Sequence, residues 1–185
     1  MLEKLIKKIA QNLDKREVPY MIIGGQAVLL YGTPRLTRDI DITLGVDSNE
    51  FALMREICRR LKLKILPENP EEFVNETKVL PAEDTKSNMR VDFIFSFTPY
   101  ERQAIKRARK ILLADYPVKF ASCEDTVIHK MFAARAVDIE DVKNILIKNR
   151  AKMDLGYIRR WLSAFNKVSG QKGVRKRFEA LLKKV

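Results

Sequence analysis

Cysteine and histidine are scarce in this chain of 185 residues. Its two cysteines, Cys58 and Cys123, lie far apart in the sequence and form no C-x-x-C pair, and His129 is its single histidine. Zinc sites in proteins are built mainly from Cys and His ligands. The sequence therefore offers no ligand set for zinc, and we expect both cysteines to be small core residues.

Long apolar runs are also missing. No stretch approaches the roughly 18 apolar residues that span a membrane, and the segment Met1–Lys4 does not lead into the apolar region of a signal peptide. We therefore expect a cytoplasmic protein without a membrane partner. Hydrophobic residues make up 46% of the chain and charged residues 32%, a composition typical of a folded domain rather than a disordered chain.

The net charge of +12 is distributed unevenly along the chain. Residues 143–185 contain thirteen Lys and Arg against Asp154 and Glu179, a net charge of +11, which leaves +1 for residues 1–142. Basic charge concentrated in this way indicates a surface for nucleic acid. A solvated helical surface, or a face for an acidic protein, is the simpler alternative.

Apolar periodicity and turn residues divide the chain into alternating helices and strands. We predict helices at 2–14, 26–31, 47–61, 99–108, 138–149, 155–166 and 174–184, with a break at Ser169-Gly170. We predict strands at 18–23, 39–44, 64–66, 73–80, 90–97, 110–114 and 118–120, with a polar turn at 81–88. This order predicts an α+β fold with a mixed sheet in residues 1–120 and a helical part, residues 121–185, packed on it.

Two carboxylates alternate with isoleucines in the predicted strand at 39–44. Strand geometry places Asp39 and Asp41 on one face and Ile40 and Ile42 on the other. Aspartate is depleted in strands, and two like charges on one face repel each other. A divalent cation would offset that repulsion directly, whereas a solvated outer face of the sheet is the simpler explanation.

A further aspartate, Asp92, stands alone among apolar and aromatic residues in the predicted strand at 90–97. An unpaired buried charge is very costly, so Asp92 needs a cation. A neighbouring arginine, Arg38 or Arg90, could supply that charge, and the family resemblance described below implies a metal ion instead. Carboxylates without Cys or His ligands favour a hard cation, Mg²⁺ or Mn²⁺.

A later pattern, K-x4-R-x2-D-x2-D, begins at Lys130 in a helix that Ser122 caps. An unbroken helix would bring Lys130, Asp138 and Asp141 within about 80° of arc, with Arg135 to one side. Either the lysine contacts a ligand, or these residues form a structural ion pair on one helix face.

The pattern G-G-x8-12-R-x-T-R-D-I-D, which begins at Gly24, resembles the first motif of nucleotidyltransferases of the DNA polymerase beta superfamily. It is most similar to the minimal branch that includes the AbiE-type toxins, whose later motif the K-x4-R-x2-D-x2-D spacing also resembles. One departure is Gln26, because the superfamily commonly has Ser or Thr beside the second glycine. The resemblance covers roughly residues 18–142 and implies a polymerase-beta-like fold followed by C-terminal helices.

The resemblance also implies a site and a reaction. The implied catalytic residues, which would hold two Mg²⁺ or Mn²⁺ ions, are Asp39, Asp41 and Asp92. The implied nucleotide-binding residues are Gly24, Gly25, Arg35, Arg38 and Lys130. Such an enzyme moves a nucleoside monophosphate from a nucleoside triphosphate, ATP among them, to a hydroxyl of RNA, tRNA in particular, of a protein or of a small molecule. A toxin–antitoxin role would add an antitoxin partner, and the alternative is a non-catalytic nucleotide- or RNA-binding module of the same fold.

Overall fold

Seven strands and the helices between them are described by a computed structural model, which covers residues 2–96, 98–167 and 173–185. The strands are β1 Tyr20–Ile22, β2 Asp39–Leu44, β3 Lys64–Ile65, β4 Val79–Asp84, β5 Met89–Phe95, β6 Arg109–Leu113 and β7 Tyr116–Phe120. The α-helices are α1 Leu2–Lys15, α2 Gly24–Tyr31, α3 Phe51–Leu61, α4 Pro70–Thr77, α5 Pro99–Lys106, α6 Cys123–Ala133, α7 Ala136–Asn149, α8 Leu155–Phe165 and α9 Val174–Leu182. Single turns of 3₁₀-helix precede α3 and follow α7.

The strands form one mixed sheet in the order β3-β4-β5-β2-β1-β7-β6. Strand β2 runs parallel to β5, and β1 runs parallel to β7, while the other neighbours are antiparallel. The chain divides into two compact units: Met1–Gln26 with Thr37–Phe120, and Ala27–Leu36 with Ala121–Val185. The whole sheet lies in the first unit.

One face of the sheet forms the core of the first unit. Along β2 and β5 the alternate residues on this face are buried and apolar: Ile40, Ile42, Leu44, Val91, Phe93 and Phe95. Helix α1 contributes an apolar stripe to the same core, because Leu5, Ile6, Ile9 and Leu13 recur at helical spacing. This packing fixes which residues of β2 and β5 are left for the opposite face.

Helices α6 to α9 make up most of the second unit. Their buried residues include Ile128, Ile145, Ile158 and Phe178. No helix among the described residues is long and apolar enough to cross a membrane.

The two cysteines differ in burial, but burial raises the pKa of both thiols. Cys58 is fully buried in the core of the first unit, as predicted, whereas Cys123 is only half-buried at the start of α6. Burial raises the pKa of each thiol to about 12, so neither forms an appreciable amount of thiolate near neutral pH.

The predicted strand at 73–80 is wrong. Residues 70–77 form α4, which has Pro70 in its first turn and Glu71 and Glu72 beside its positive end, both favourable at a helix N-terminus. The strand begins later, and β4 runs through Pro81 to Asp84 where a polar turn was predicted. A proline inside the run obscured the strand, since proline cannot donate to a ladder.

The helix that carries Lys130 is also not continuous. Ala134 has a left-handed conformation, with φ of 54°, which ends α6, and α7 begins two residues later after Arg135.

Most other predicted elements are confirmed within a few residues, and β2 matches its predicted bounds, 39–44. The predicted end of β5 at Phe97 and the predicted break at Ser169-Gly170 lie outside the described residues.

Candidate active site

Two predicted catalytic carboxylates lie side by side on neighbouring strands. In the parallel pair of β2 and β5, Asp41 stands opposite Asp92, and Asp39 stands opposite Arg90. Because side chains alternate along each strand, all four project from the face opposite to the apolar core. Asp39 is exposed, and Asp41 and Asp92 are partly buried. The structure therefore brings the three predicted carboxylates to one face of two adjacent strands.

Arg90 is the partner of Asp92. Its Nε donates to both carboxylate oxygens, at 2.9 Å to Oδ1 and 3.0 Å to Oδ2. This hydrogen-bonded pairing raises the pKa of Arg90, and although partial burial opposes the shift, the negative charges of Asp39 and Asp41 act in the same direction as Asp92. Of the two arginines that the sequence offered as partners for Asp92, the structure pairs it with Arg90. The positive charge of Arg90 also acts on the two carboxylates of β2.

Gly24 allows the backbone to pass against Asp41. It adopts a φ of +62°, and a Cβ built on it would lie 1.9 Å from Oδ2 of Asp41. No side chain larger than hydrogen fits there without moving the carboxylate, and an L-residue would also be strained at this φ. The amide of Ile23 donates to the carbonyl of Asp41 at 2.9 Å, which joins the end of β1 to β2 at the same point.

The next two residues of α2 are tied to the segment that leads into β2. A Cβ on Gly25 would lie 2.5 Å from Oγ1 of Thr37, so this glycine also permits a close approach. Gln26, which is buried, donates from Nε2 to the carbonyl of Asp39 at 3.2 Å. The residue that departs from the superfamily pattern therefore holds the backbone that carries Asp39.

Helix α2 starts directly beside Asp41, and its first turn has backbone N–H groups without partners in the helix. The partial positive charge at a helix N-terminus favours anions such as phosphate. Arg38, predicted to bind nucleotide, is exposed in the irregular segment that precedes β2. The first unit therefore contains Gly24, Gly25 and Arg38 of the predicted nucleotide-binding residues.

The donor chemistry of this face fits a divalent cation. Asp41 and Asp92 offer carboxylate oxygens from opposed positions, and such oxygens are the preferred ligands of Mg²⁺ and Mn²⁺. Within the described residues, no three His, Cys, Asp or Glu side chains already form a group that could hold a metal ion. Asp92 is hydrogen-bonded to Arg90, so a cation bound by these carboxylates would compete with the charge of that guanidinium.

A surface cavity of about 600 Å³ lies beside Arg90, the partner of Asp92. Arg90 and Pro81, the residue that β4 places opposite Asp92, both line it. Its acidic wall comes from the loop before α4 and from α4 itself, and consists of Glu68, Glu72 and Glu76. Leu66 and Phe73 add apolar surface. The sequence reasoning did not find this cavity because it depends on α4, which had been predicted as a strand.

In the second unit, Lys130 lies in a buried group of charges. Its Nζ is 2.8 Å from Oδ1 of Asp138 and 3.1 Å from Oδ2 of Asp141. Arg35 binds both oxygens of Asp141, each at 3.1 Å, and Arg135 binds Asp138 at 2.7 Å. Lys130, Asp138 and Asp141 are all nearly inaccessible to solvent.

The cations in this group determine the state of Asp138. Burial alone would raise its pKa, but hydrogen bonds from Arg135 and Lys130, together with their charges, outweigh that effect and lower the pKa. The predicted grouping of Lys130 with Asp138 and Asp141 is therefore present, as an ion-pair cluster formed across the break between α6 and α7. The nucleotide contacts proposed for Arg35 and Lys130 remain predictions.

Known structures of nucleotidyltransferases resemble this chain over most of its length. The antibiotic-resistance factor ANT(2″)-Ia, crystallised with adenylyl-2″-tobramycin, is 18% identical, with 97% of each chain covered and a TM-score of 0.60. An antigenic nucleotidyltransferase-like protein from Paracoccidioides brasiliensis is 16% identical, with 99% of this chain and 88% of that one covered and a TM-score of 0.60. The lincosamide adenylyltransferase LnuA, bound to lincomycin, is 17% identical, with 77% and 94% covered and a TM-score of 0.53.

These likenesses show that the chain has the polymerase-beta-like nucleotidyltransferase fold that the sequence predicted. None of the curated protein sequences matches it. Residues 1–183 match the family described as nucleotidyltransferases of unknown function (DUF6036). The chain therefore belongs to that family.

Proposed function

We propose that this protein transfers a nucleoside monophosphate from a nucleoside triphosphate to a hydroxyl group, with catalysis centred on Asp39, Asp41 and Asp92. The observation that carries the proposal is the opposition of Asp41 and Asp92 on parallel strands, with the glycine start of α2 against Asp41. Arg90 offsets part of the repulsion between these carboxylates, and their position beside the glycine start of α2 is what supports a shared role in binding a metal ion and phosphate.

The reaction forms a bond between the acceptor oxygen and the α-phosphorus, and it breaks the bond from that phosphorus to the β-phosphate. Pyrophosphate leaves, and we assign the proton of the acceptor hydroxyl to the carboxylate of Asp92. Asp39, Asp41 and Asp92 would hold Mg²⁺ or Mn²⁺, which when bound neutralises the phosphate charge and activates the hydroxyl. The N-terminus of α2 and the exposed Arg38 supply positive charge for the triphosphate.

The acidic cavity beside Arg90 favours a small acceptor that carries amino groups as well as hydroxyls. Glu68, Glu72 and Glu76 supply negative charge to its wall, and they would attract ammonium groups and repel a polyanion. The ANT(2″)-Ia structure contains an adenylylated aminoglycoside, a compound of this class. An RNA acceptor is the second candidate, supported by the exposed basic run Arg175–Arg177 in the second unit.

Two further hypotheses remain from the sequence. The resemblance to AbiE-type toxins suggests growth arrest on expression and an antitoxin that relieves it, and normal growth of cells that overproduce active enzyme would contradict this.

A non-catalytic binding module is the alternative to the enzyme, and Gln26 gave it some support. In the structure, Gln26 holds the carbonyl of Asp39, which is a positioning role that an active site can use.

Replacing Asp41 by Asn should reduce transfer at least about 100-fold, because it removes a charged ligand from the reacting centre. Incorporation of label from each α-³²P-labelled triphosphate into acceptors, with Mg²⁺ or Mn²⁺, measures the effect. Asp115→Asn is the matched control, since Asp115 is exposed in the turn between β6 and β7 with a φ of 65°, which asparagine tolerates. Equal transfer by wild type and Asp41→Asn would remove the catalytic assignment and leave the binding module.

Replacing Gly24 by Ala should lower both stability and triphosphate affinity, because the new Cβ meets Asp41 and the φ of +62° is strained. The control is Gly173→Ala, where φ is +82° but nothing lies within 4 Å of the added Cβ. That control should cost only about 1–2 kcal/mol of unfolding free energy, while Gly24→Ala should cost more. Urea denaturation and nucleotide titration measure the two effects, and identical behaviour of both variants would show that the approach to Asp41 is unimportant.

Replacing Lys130 by Met should destabilise the protein by about 3 kcal/mol, because it leaves buried carboxylates short of a cation. The control Lys143→Met removes an exposed lysine, paired with Glu140, from α7, and should change stability by less than about 0.5 kcal/mol. Chemical denaturation gives the unfolding free energies. If Lys130→Met is as stable as wild type but binds triphosphate weakly, Lys130 is a phosphate contact rather than a structural cation.

Acceptor choice is tested by adding aminated polyhydroxyl compounds and bulk tRNA separately to the labelled assay. We expect label in the small acceptors, and Glu72→Gln should raise their KM several-fold with little change in kcat, since the wall charge acts in binding. Labelling of tRNA alone, unaffected by Glu72→Gln and reduced when Arg175, Lys176 and Arg177 are neutralised, would instead support the RNA acceptor.

A further inference from the structure

Arg90 occupies a position that matters for cation binding at the carboxylates. It lies two residues before Asp92 on β5, on the same face, and opposite Asp39 of the neighbouring strand. Its Nε contacts both oxygens of Asp92, and the charges of Asp39 and Asp41 also act on it. The guanidinium is thus paired with Asp92, and it lies on the same face as the two carboxylates of β2.

This pairing is exposed enough to exchange. The side chain of Arg90 is 52% accessible to solvent and that of Asp92 is 18% accessible. Exposed ion pairs contribute little to stability because water competes for both partners. A guanidinium that contacts both oxygens of Asp92 nevertheless repels a second cation placed beside them, so its presence lowers the affinity of these carboxylates for a metal ion.

The acidic cavity offers the guanidinium of Arg90 a second environment. Arg90 also lines the acidic cavity, whose wall carries Glu68, Glu72 and Glu76. A guanidinium that left Asp92 on the cavity side would therefore enter a region with negative charge in its wall.

We propose that Arg90 is the resident counter-cation of Asp39, Asp41 and Asp92, and that a divalent ion binds these carboxylates by displacing its guanidinium from Asp92. This inference rests on the metal-dependent function proposed above. It makes Arg90 a residue that sets metal affinity. Removal of its charge makes the surroundings of the three carboxylates more negative, so a divalent ion should bind more tightly.

The test measures the dissociation constant of Mn²⁺ alone, by electron paramagnetic resonance of the free ion, on the full chain without nucleotide. We expect Arg90→Met and Arg90→Gln to bind Mn²⁺ about 3- to 10-fold more tightly than wild type, and Arg90→Lys to lie between them and wild type. Lys110→Met, which removes an exposed positive charge from β6, is the matched control and should leave the affinity unchanged. Circular dichroism confirms that each variant is folded.

The outcomes separate this inference from the proposed function. Equal Mn²⁺ affinity in wild type and both neutral Arg90 variants, with binding abolished by Asp41→Asn, would overturn the role of Arg90 and leave the metal assignment intact. Weaker binding in the neutral variants would also overturn it, since Arg90 would then be orienting Asp92 as a ligand. Absence of Mn²⁺ binding in every variant would overturn both the inference and the metal-dependent function.

Discussion

The register between β2 and β5 is the constraint on which the rest of the site depends. It places Asp41 opposite Asp92, an arrangement that electrostatic repulsion alone would disfavour. The register is fixed by the other face, where Ile42 and Phe93 are fully buried in the core. A slip of one residue would move the carboxylates into that core and the apolar side chains into water. The hydrophobic core thus sets the geometry of the charged groups.

The glycine turn follows from the same register. Because Asp41 faces the point where β1 ends, the chain that turns into α2 must pass against its carboxylate, and only Gly24 leaves room for Oδ2. Gln26 then ties the helix back to the carbonyl of Asp39. The start of α2 and the carboxylates of β2 are therefore held together by the same contacts. An anion at the N-terminus of α2 would lie close to these carboxylates.

The features that were predicted well from the sequence are those that depend on the periodicity of apolar residues within one element. Strict alternation in β2 gave its bounds and the shared face of Asp39 and Asp41. The strand predicted at 73–80 failed because α4 is short and has a single fully buried residue, Val74, so its helical period is weak. The sequence offered Arg38 and Arg90 as partners for Asp92, but choosing between them required coordinates. The acidic cavity could not be predicted without α4.

The two charged groups of the protein differ in a way that bears on function. Lys130 and Asp138 are buried within fixed hydrogen bonds, so separating them would strand charges away from water, and each holds the other in place. Arg90 and Asp92 have similar contact distances, yet the arginine is half exposed and can be solvated when it leaves. Distance alone therefore does not distinguish a structural ion pair from an exchangeable one. Burial does, and under the proposed function it is the strand carboxylates, rather than the helical ones, that would accept a cation from solution.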